Sequence, residues 1–526
     1  MKSKHFYQSI RLFVPAVFFG TITGIATALI ITAYKWCAKH CVHWSEAMYA
    51  FLRTHGYWVI AVLVALFGLS VLLVHIYKKT PNLRGGGIPT SIGILRGLIP
   101  FRWLRNLVGT FLLSLTSFLV GIPLGTEGPS VQMGTAVGRG SVFAFSKKHR
   151  AWDRYSMTGG ACAGFSVATG APISGIMFAL EEAHQRISPM IVIVAVTSVI
   201  SSMFTAEVIS PIFGVNVKLF PDTKLLTLTL KDIWLPFLIG LLLGLFAVVF
   251  LKLYQIVSRF FGKRLAAIKP QYKIFGIFSV TVLVGLFSFS FISTGHELIL
   301  ELFHSAPAFW LLILLLLVRT LLTLSANCNN LTGGIFLPIL AIGTVAASLL
   351  GKAAETILGL GHDYYTLILV FGITACIAGM MKSPLTAVFF AIEALSCYNN
   401  LLYVILTAAV AFIITELFAA ESINDSVLEH RMRRMGREHP PLVKDTYVTV
   451  QDGAFAIGKQ VRDIFWPANL FVLSVRHAEE HEAQLDRHGG NLICEKDILH
   501  IRYSTYDTEK TLQELYAIVG KQEESI

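Results

Sequence analysis

The chain has 526 residues, of which 54% are hydrophobic and only 14% charged, with a mean hydropathy of +0.65. This balance excludes an ordinary soluble domain and makes the bilayer the natural solvent for most of the chain. The formal charge of +11 does not point to nucleic acid, because Lys and Arg gather in short stretches between apolar runs and not on one polar face.

Several runs carry almost no charge over about 20 residues, enough to cross roughly 30 Å of hydrocarbon as a helix. They include Phe13 to Tyr34, Tyr57 to Tyr77, Leu235 to Leu253 and Ile274 to Ile292. The first is longer than a signal-peptide core, lacks an A-x-A-like cleavage site and is followed by further spans, so it is expected to be retained. Lys78, Lys79 and Arg84 form one basic stretch, Lys147, Lys148, Arg150 and Arg154 a second, and Arg259, Lys263, Arg264, Lys269 and Lys273 a third. The positive-inside rule sets these loops in the cytoplasm. Ser293 to Ala308 holds Glu297 and Glu301 but no Lys or Arg, which suits the other side. The seven cysteines show no C-x-x-C spacing and read as small core residues, not as disulfides or metal ligands.

An internal repeat aligns Pro172 to Glu181 with Pro384 to Glu393, proline and glutamate keeping their separation. Pro129 with Gly134-Thr135 and Pro338 with Gly343-Thr344 repeat at nearly the same offset. Repeats of this kind in transporters place the site between the halves, on helices interrupted by Gly and Pro. The apolar part ends near Phe418. A basic stretch with Arg431, Arg433, Arg434 and Arg437 follows, before Pro440-Pro441. Beyond it, the alternating runs Tyr447–Val450, Leu470–Val475 and Ile498–Ile501 and a helical Glu509–Val519 predict a small soluble α+β module. The expected division is an all-α polytopic membrane domain over 1–436 and a cytoplasmic α+β domain over 437–526.

Three breaks carry the chemistry: Gly85-Gly86-Gly87-Ile88-Pro89, Gly125-Thr126-Glu127-Gly128-Pro129 and Gly333-Gly334-Ile335-Phe336-Leu337-Pro338. Each ends in a proline suited to the first turn of a helix. An anion stripped of water needs partial positive charge without a full counter-ion that would trap it, and free N–H groups at helix starts supply this. Glu127 sits inside the second break. Its carboxylate can take the anion's place when ionised and leave it when protonated, acting as gate and proton carrier, or it can be a capping glutamate. Glu181 and Glu182 end an apolar helix, where one could collect protons or both could serve as caps or salt-bridge partners; Glu393 is the equivalent position in the repeat. No phosphate loop, metal cluster or nucleophile-base pair appears, so neither an enzyme nor a resident cofactor or metal is expected.

Across about Phe13 to Arg434 the chain resembles the CLC chloride channel and proton/chloride antiporter family. Gly85–Pro89 is similar to the family motif GSGIP, Gly125–Pro129 to GREGP and Gly334–Pro338 to GIFAP. The resemblance implies homodimers with one pore per subunit, built of two inverted repeats of broken, tilted helices. It further implies an anion held by the N–H groups of Ile335 and Phe336, with Glu127 as external gate and Glu182 as internal proton-transfer glutamate. The anion site is thus expected to draw on Gly85, Gly86, Gly87, Ile88, Pro89, Gly125, Gly128, Gly334, Ile335 and Phe336. Two hydroxyls of the family's central site are missing: Gly86 replaces the serine, and Asn424 the tyrosine. Each lost contact is worth roughly 1 kcal/mol, so a weak centre and loose coupling are expected. Thr126 replaces Arg or Lys, removing a positive charge near the gate.

Keeping both acids favours chloride/proton exchange over a passive channel. A fluoride/proton antiporter is the other alternative, against which Pro129 and Glu182 stand. A regulated cation transporter is disfavoured by three proline-led N–H sites and the lack of an acidic pore ring. The tail resembles the C-terminal subdomain of regulator-of-potassium-conductance (TrkA-C-like) proteins over Gly458–Ile464 and Lys496–Leu499. That implies a dimeric module for a small-molecule or nucleotide ligand, or simple dimer stabilisation. The expected setting is a bacterial inner membrane with both termini cytoplasmic, and the expected partners are chloride, protons, lipid and a second copy, without nucleic acid.

Overall fold

The structure, a computed structural model, describes residues 2–145, 150–184, 188–222, 224–434, 442–467, 470–478, 483–486, 489–505 and 507–522. Lys147, Lys148, Arg437, the Pro440-Pro441 break and the expected boundary at 436–437 lie outside the described residues. The first half comprises α1 (Lys2–Thr54), α2 (Trp58–Lys79), α3 (Gly87–Leu95), α4 (Trp103–Val120), α5 (Glu127–Phe145), α6 (Asp153–Thr169), α7 (Pro172–Phe178) and α8 (Pro189–Phe213), α7 running on into a π turn, Ala179–His184. The second comprises α9 (Trp234–Arg259), α10 (Pro270–Phe287), α11 (His296–His304), α12 (Phe309–Cys328), α13 (Phe336–Leu358), α14 (His362–Met380), α15 (Pro384–Glu393), α16 (Leu401–Leu417) and α17 (Ile423–Arg434). Among the described residues, ten helices are long and apolar enough to cross a membrane. The four charge-poor runs named above fall on α1, α2, α9 and α10. α13 and α14 are buried over most of their length, as are α5 and α6 in the first half, while α2 is mostly exposed, so the protein-packed centre lies around the middle helices of both halves.

The repeat read from the sequence has a physical counterpart in α7 and α15, two short helices that pack on each other and cap each other. Glu181, at the end of α7, accepts from Leu385 N–H (3.0 Å) and Thr386 N–H (2.9 Å) at the start of α15. Glu393, at the end of α15, accepts from Ile173 N–H (2.8 Å) and Ser174 N–H (2.9 Å) at the start of α7. A carboxylate on two free helix-start amides satisfies donors that hydrocarbon would leave orphaned, and it complements the positive end of the dipole. Two helices can trade such caps only if they run antiparallel, so the exchange imposes inverted orientation on these two repeat elements. Glu181 is therefore a cap. Of the seven cysteines, Cys41, Cys162, Cys328, Cys376 and Cys397 are buried, Cys37 is half-buried and Cys494 exposed, all as free thiols.

The tail is the expected α+β module. β1 (Leu442–Thr449), β2 (Leu470–Arg476), β3 (Gln484–Leu485) and β4 (Ile498–Thr505) form one antiparallel sheet in the order β1-β4-β2-β3. α18 (Thr508–Val519) is capped by Asp507, which accepts from Lys510 N–H at 3.1 Å, and buries Leu515, Ile518 and Val519 with Val475, Leu499 and Ile501 of the strands. This module is docked on the start of α6 and the π turn that follows α7. Tyr155 hydroxyl donates to Asp463 O (3.1 Å) and accepts from Phe465 N–H (2.6 Å). The Arg154 guanidinium donates to Trp466 O and lies 4.2 Å over the Phe465 ring, whose face meets the His184 ring edge-on at 4.6 Å. Arg154, expected only as a topology signal, is thus also an interdomain tie.

Two expectations follow. Glu393→Ala should lower stability by about 1–2 kcal/mol, as cap removal does elsewhere, seen as a reduced melting temperature in detergent; an unchanged melt would contradict the exchanged-cap description. In the tail, Lys459 stacks 3.2 Å from the centroid of the Phe455 ring, and burial pulls its amine down from 10.5 to about 7. Because the folded state then holds fewer protons than the unfolded state between about pH 7 and 10.5, tail stability should rise with pH across that window. Hydrogen-exchange protection of β2 and β4 in the full chain should increase from pH 7 to 9, after correction for intrinsic rates, and the increase should vanish in Lys459→Met.

Candidate functional site

The three glycine-rich breaks meet at one point, held by two backbone hydrogen bonds. Gly125 N–H donates to Gly334 O (2.7 Å) and Gly334 N–H donates to Gly125 O (2.8 Å), an isolated antiparallel bridge. α5 starts two residues after Gly125 and α13 two residues after Gly334, so the bridge sets two helix N-termini face to face. The third break packs against them. A Cβ on Gly87 would stand 1.8 Å from Gly128 O, and one on Gly128 would stand 2.6 Å from Gly334 Cα. Only glycine lets these backbones approach so closely.

The donors at this junction are unspent. The first α13 amide to turn back into the helix is Ile339, which donates to Ile335 O at 3.0 Å; among the described residues, the N–H groups of Ile335, Phe336 and Leu337 have no backbone partner. At the α5 start, the first is Ser130 N–H on Thr126 O, 3.0 Å. Each helix start carries roughly half a positive charge from aligned peptide dipoles. Phe336 is fully buried, its ring edge-on to those of Phe165 and Phe390 (5.2 and 5.4 Å), which keeps water from these amides.

Glu127 is fully buried here. Its Oε1 accepts from the Thr126 hydroxyl at 3.1 Å, while Oε2 has no hydrogen-bond partner. Oε2 turns back toward α13: it lies 2.4 Å from the point where a Gly125 Cβ would stand, and Leu337 N lies 3.3 Å from the same point. The cationic groups whose field reaches this carboxylate are His296 and Lys35. Lys35, on α1, is pinned by the carbonyls of Val167 (3.0 Å), Asn216 (2.9 Å) and Val217 (3.2 Å), and His296 Nε2 lies 2.7 Å from Leu219 O. These two groups sit on other elements, α1 and α11, which the sequence reading did not foresee, and the His296 ring also meets the Glu297 carboxylate through Nδ1 at 3.2 Å.

Glu182 sits buried in the π turn. Its Oε1 accepts from the Asn424 side-chain amide, and its Oε2 has no hydrogen-bond partner. Arg96 staples the turn in place, donating to the carbonyls of Glu182 (2.9 Å) and Ala183 (3.1 Å) and pairing with Asp425 at 3.1 Å. Asn424, expected beside the anion, donates from its side-chain amide to Glu182. Its Oδ1, an acceptor with no attraction for an anion, is buried without a partner. The Gly85–Pro89 residues are all buried at the start of α3. Gly86 there is extended (φ −66°, ψ 140°), a conformation any residue adopts, and the nearest atoms to a Cβ would be Gly333 O and Pro89 Cδ at 3.5 Å. Arg431, expected as part of a basic topology cluster, is instead buried against this segment.

The signature of the family described as "Voltage gated chloride channel" matches residues 69–416. The H(+)/Cl(-) exchange transporter ClcA of Vibrio parahaemolyticus is 28% identical over 431 residues, covering 80% of this chain and 89% of its own. Among solved structures, a slow cyanobacterial Cl-/H+ antiporter superposes with a TM-score of 0.72 at 23% identity, over 80% of this chain and 99% of that one. A CLC-type fluoride/proton antiporter superposes with a TM-score of 0.63 at 18% identity, over 77% and 96%. The latter two show likeness of fold.

The glycine geometry makes a paired prediction. Gly86→Ser meets only ordinary contacts and adds a favoured N-cap, so it should give monodisperse protein with an undiminished melting temperature. Gly87→Ser drives a side chain into the Gly128 carbonyl and should yield little folded protein. Equal behaviour of the two variants on size-exclusion and thermal melting would contradict the packing described.

Proposed function

Because the chain belongs to the voltage gated chloride channel family, we propose that it carries chloride across a membrane in exchange for protons. The observation that carries this reading is the unpartnered Glu127 oxygen at a junction of two helix N-termini, where the amides of Ile335, Phe336 and Leu337 have no backbone partner among the described residues. An ionised Glu127 and a chloride ion compete for one positive field. Protonation of Glu127 removes its claim on that field and frees the place for the anion, so proton uptake and anion binding are coupled by simple electrostatics. Glu182 is the inner proton station, and Asn424 holds one of its oxygens so that the other faces free. The curated relative named as an H(+)/Cl(-) exchange transporter supports the same assignment. Ile335 and Phe336 are the donors to the anion, and chloride is substrate, with no resident cofactor called for and no bond-making step to make the protein an enzyme.

The setting follows from the same reading. The protein is multi-pass, with the basic loops and both termini on the cytoplasmic side of a bacterial inner membrane. α8 and α16 flank the capped α7/α15 pair and expose Phe204, Val208, Ile212, Leu402 and Leu417; this face is the surface for a second copy, giving a homodimer, with lipid around the rest. The tail is a regulatory domain. Its docking segment touches His184, two residues from Glu182, and the cleft of about 650 Å³ beneath it is lined by Arg102, Arg139, Arg154 and Lys510 with Trp103 and Phe465, and by Asp153 and Glu514, which pair with Arg139 (3.7 Å) and Lys510 (3.6 Å). Cations beside aromatic faces suit a nucleotide or similar anionic ligand.

In liposomes under opposed chloride and proton gradients, the reversal potential should depart from the chloride value toward that of coupled exchange, and chloride should drive proton pumping. A potential set by chloride alone would favour the passive-channel alternative. Glu127→Gln should abolish proton movement while anion flux continues; proton flux at the native rate would remove Glu127 from the pathway.

A further inference from the structure

The end of α17 carries a cation that the transport reading leaves unused. Arg431 is 5% exposed, and among the described residues no carboxylate lies within ion-pair distance of it. Its Nη1 donates to the Thr90 hydroxyl on α3, and its Nη2, also buried, has no hydrogen-bond partner. That Nη2 lies 3.0 Å from the point where a Cβ on Gly85 would stand, so the guanidinium edge faces the triple-glycine loop directly. The charged neighbour whose field it feels most is a second cation, Arg84. A buried charge left with a like-charged neighbour is strongly unfavourable unless something negative completes the site.

A second orphan faces the next glycine. Asn327, at the end of α12, is 3% exposed, and neither its Nδ2 nor its Oδ1 has a partner. Nδ2 stands 3.8 Å from the point where a Gly86 Cβ would be, on the side where a serine hydroxyl is absent. Between these two side chains runs the start of α3, where the amides of Gly86, Gly87 and Ile88 have no backbone partner among the described residues. Two buried unspent side-chain donors of different helices and a free helix start thus converge on one loop, Asn327 Nδ2 being the atom of that amide nearest Gly86.

We propose that Arg431 and Asn327 form a binding station for a small monovalent inorganic anion at the glycine loop, with Arg431 as its counter-charge and Asn327 in the role of the hydroxyl that Gly86 cannot supply. The inference rests on the transport reading and adds to it a specific consequence. Anion affinity on the tail side depends on a full positive charge in direct reach of the anion, whereas at the Glu127 junction the nearest donors are backbone amides and the cations Lys35 and His296 act only at a distance. A charged donor in such surroundings holds an anion more tightly than a neutral hydroxyl does, so the absence of the two hydroxyls expected of the centre does not leave the pathway weak on this side. Thr90, which holds Nη1, fixes the guanidinium so that Nη2 keeps facing the loop.

The test uses the full-length chain in liposomes of uniform orientation, with chloride varied separately on the tail side and on the opposite side, and chloride binding measured by calorimetry in detergent. Arg431→Gln should raise the half-saturating chloride on the tail side about tenfold or more, weaken calorimetric binding likewise, and leave the opposite side unchanged; Arg431→Lys should restore most of the loss. Equal half-saturation and binding in folded Arg431→Gln and wild type would overturn the proposal. Should Arg431→Gln fail to fold, Asn327→Ala decides, since it leaves the Arg431–Thr90 bond intact: weaker tail-side chloride binding supports the station and unchanged binding overturns it. A wild-type chain that neither binds nor moves chloride would refute the transport reading itself, whereas normal wild-type exchange with insensitive variants would refute only the roles of Arg431 and Asn327.

Discussion

Two hydrogen bonds between Gly125 and Gly334 decide where everything else in the membrane domain can be. In hydrocarbon no backbone donor or acceptor can be left to solvent, so a broken helix is tolerable only if its loose ends find each other or line a polar path. The bridge satisfies part of each break and, by doing so, aims the remaining amides of α5 and α13 at a common space. The close approach of Gly87, Gly128 and Gly334 then brings a third helix start to the same place. Glu127 has little choice of surroundings: its backbone belongs to the bridge's own turn, and its free oxygen turns toward the other helix.

Around this junction the protein distributes full charges sparingly. Lys35 and His296 act on Glu127 at a distance while Lys35 is held by three carbonyls and His296 by the Leu219 carbonyl and the Glu297 carboxylate, so they bias the field without offering an anion a trap. Arg96 spends its guanidinium on two carbonyls and Asp425, which immobilises the π turn that carries Glu182. A π turn shifts the side-chain register by one residue relative to an α-helix. That shift lets Glu181 reach the partner helix as a cap while its neighbour Glu182 turns inward to Asn424.

What the sequence disclosed, and what it withheld, divides along a physical line. The three breaks, the prolines that restart helices, Glu127 and the repeat are written in residues close together in the chain, where glycine and proline impose local conformation whatever the tertiary context. The tail's alternating strands and its capped helix were legible for the same reason. The partners of Glu182 and Glu127 were not, because Asn424, Lys35 and His296 reach them only through the packing of distant helices. Arg431 was misleading for a further reason: a run of arginines after the last span resembles a topology signal, and only the burial of α17 against α3 distinguishes the one that faces inward. Glycine was ambiguous in the same way, since Gly87 is forced by contact and Gly86, its neighbour, is not.

The central claim is that free amides of Ile335 and Phe336 and the carboxylate of Glu127 contend for one place. Anomalous diffraction from crystals grown in bromide tests it most directly, comparing the wild type with Glu127→Gln. The account predicts a bromide peak against the Ile335 and Phe336 amides that gains occupancy, or extends toward α5, once the competing charge is gone. Bromide absent from those amides in both proteins, or unmoved and equally occupied in both, would contradict it.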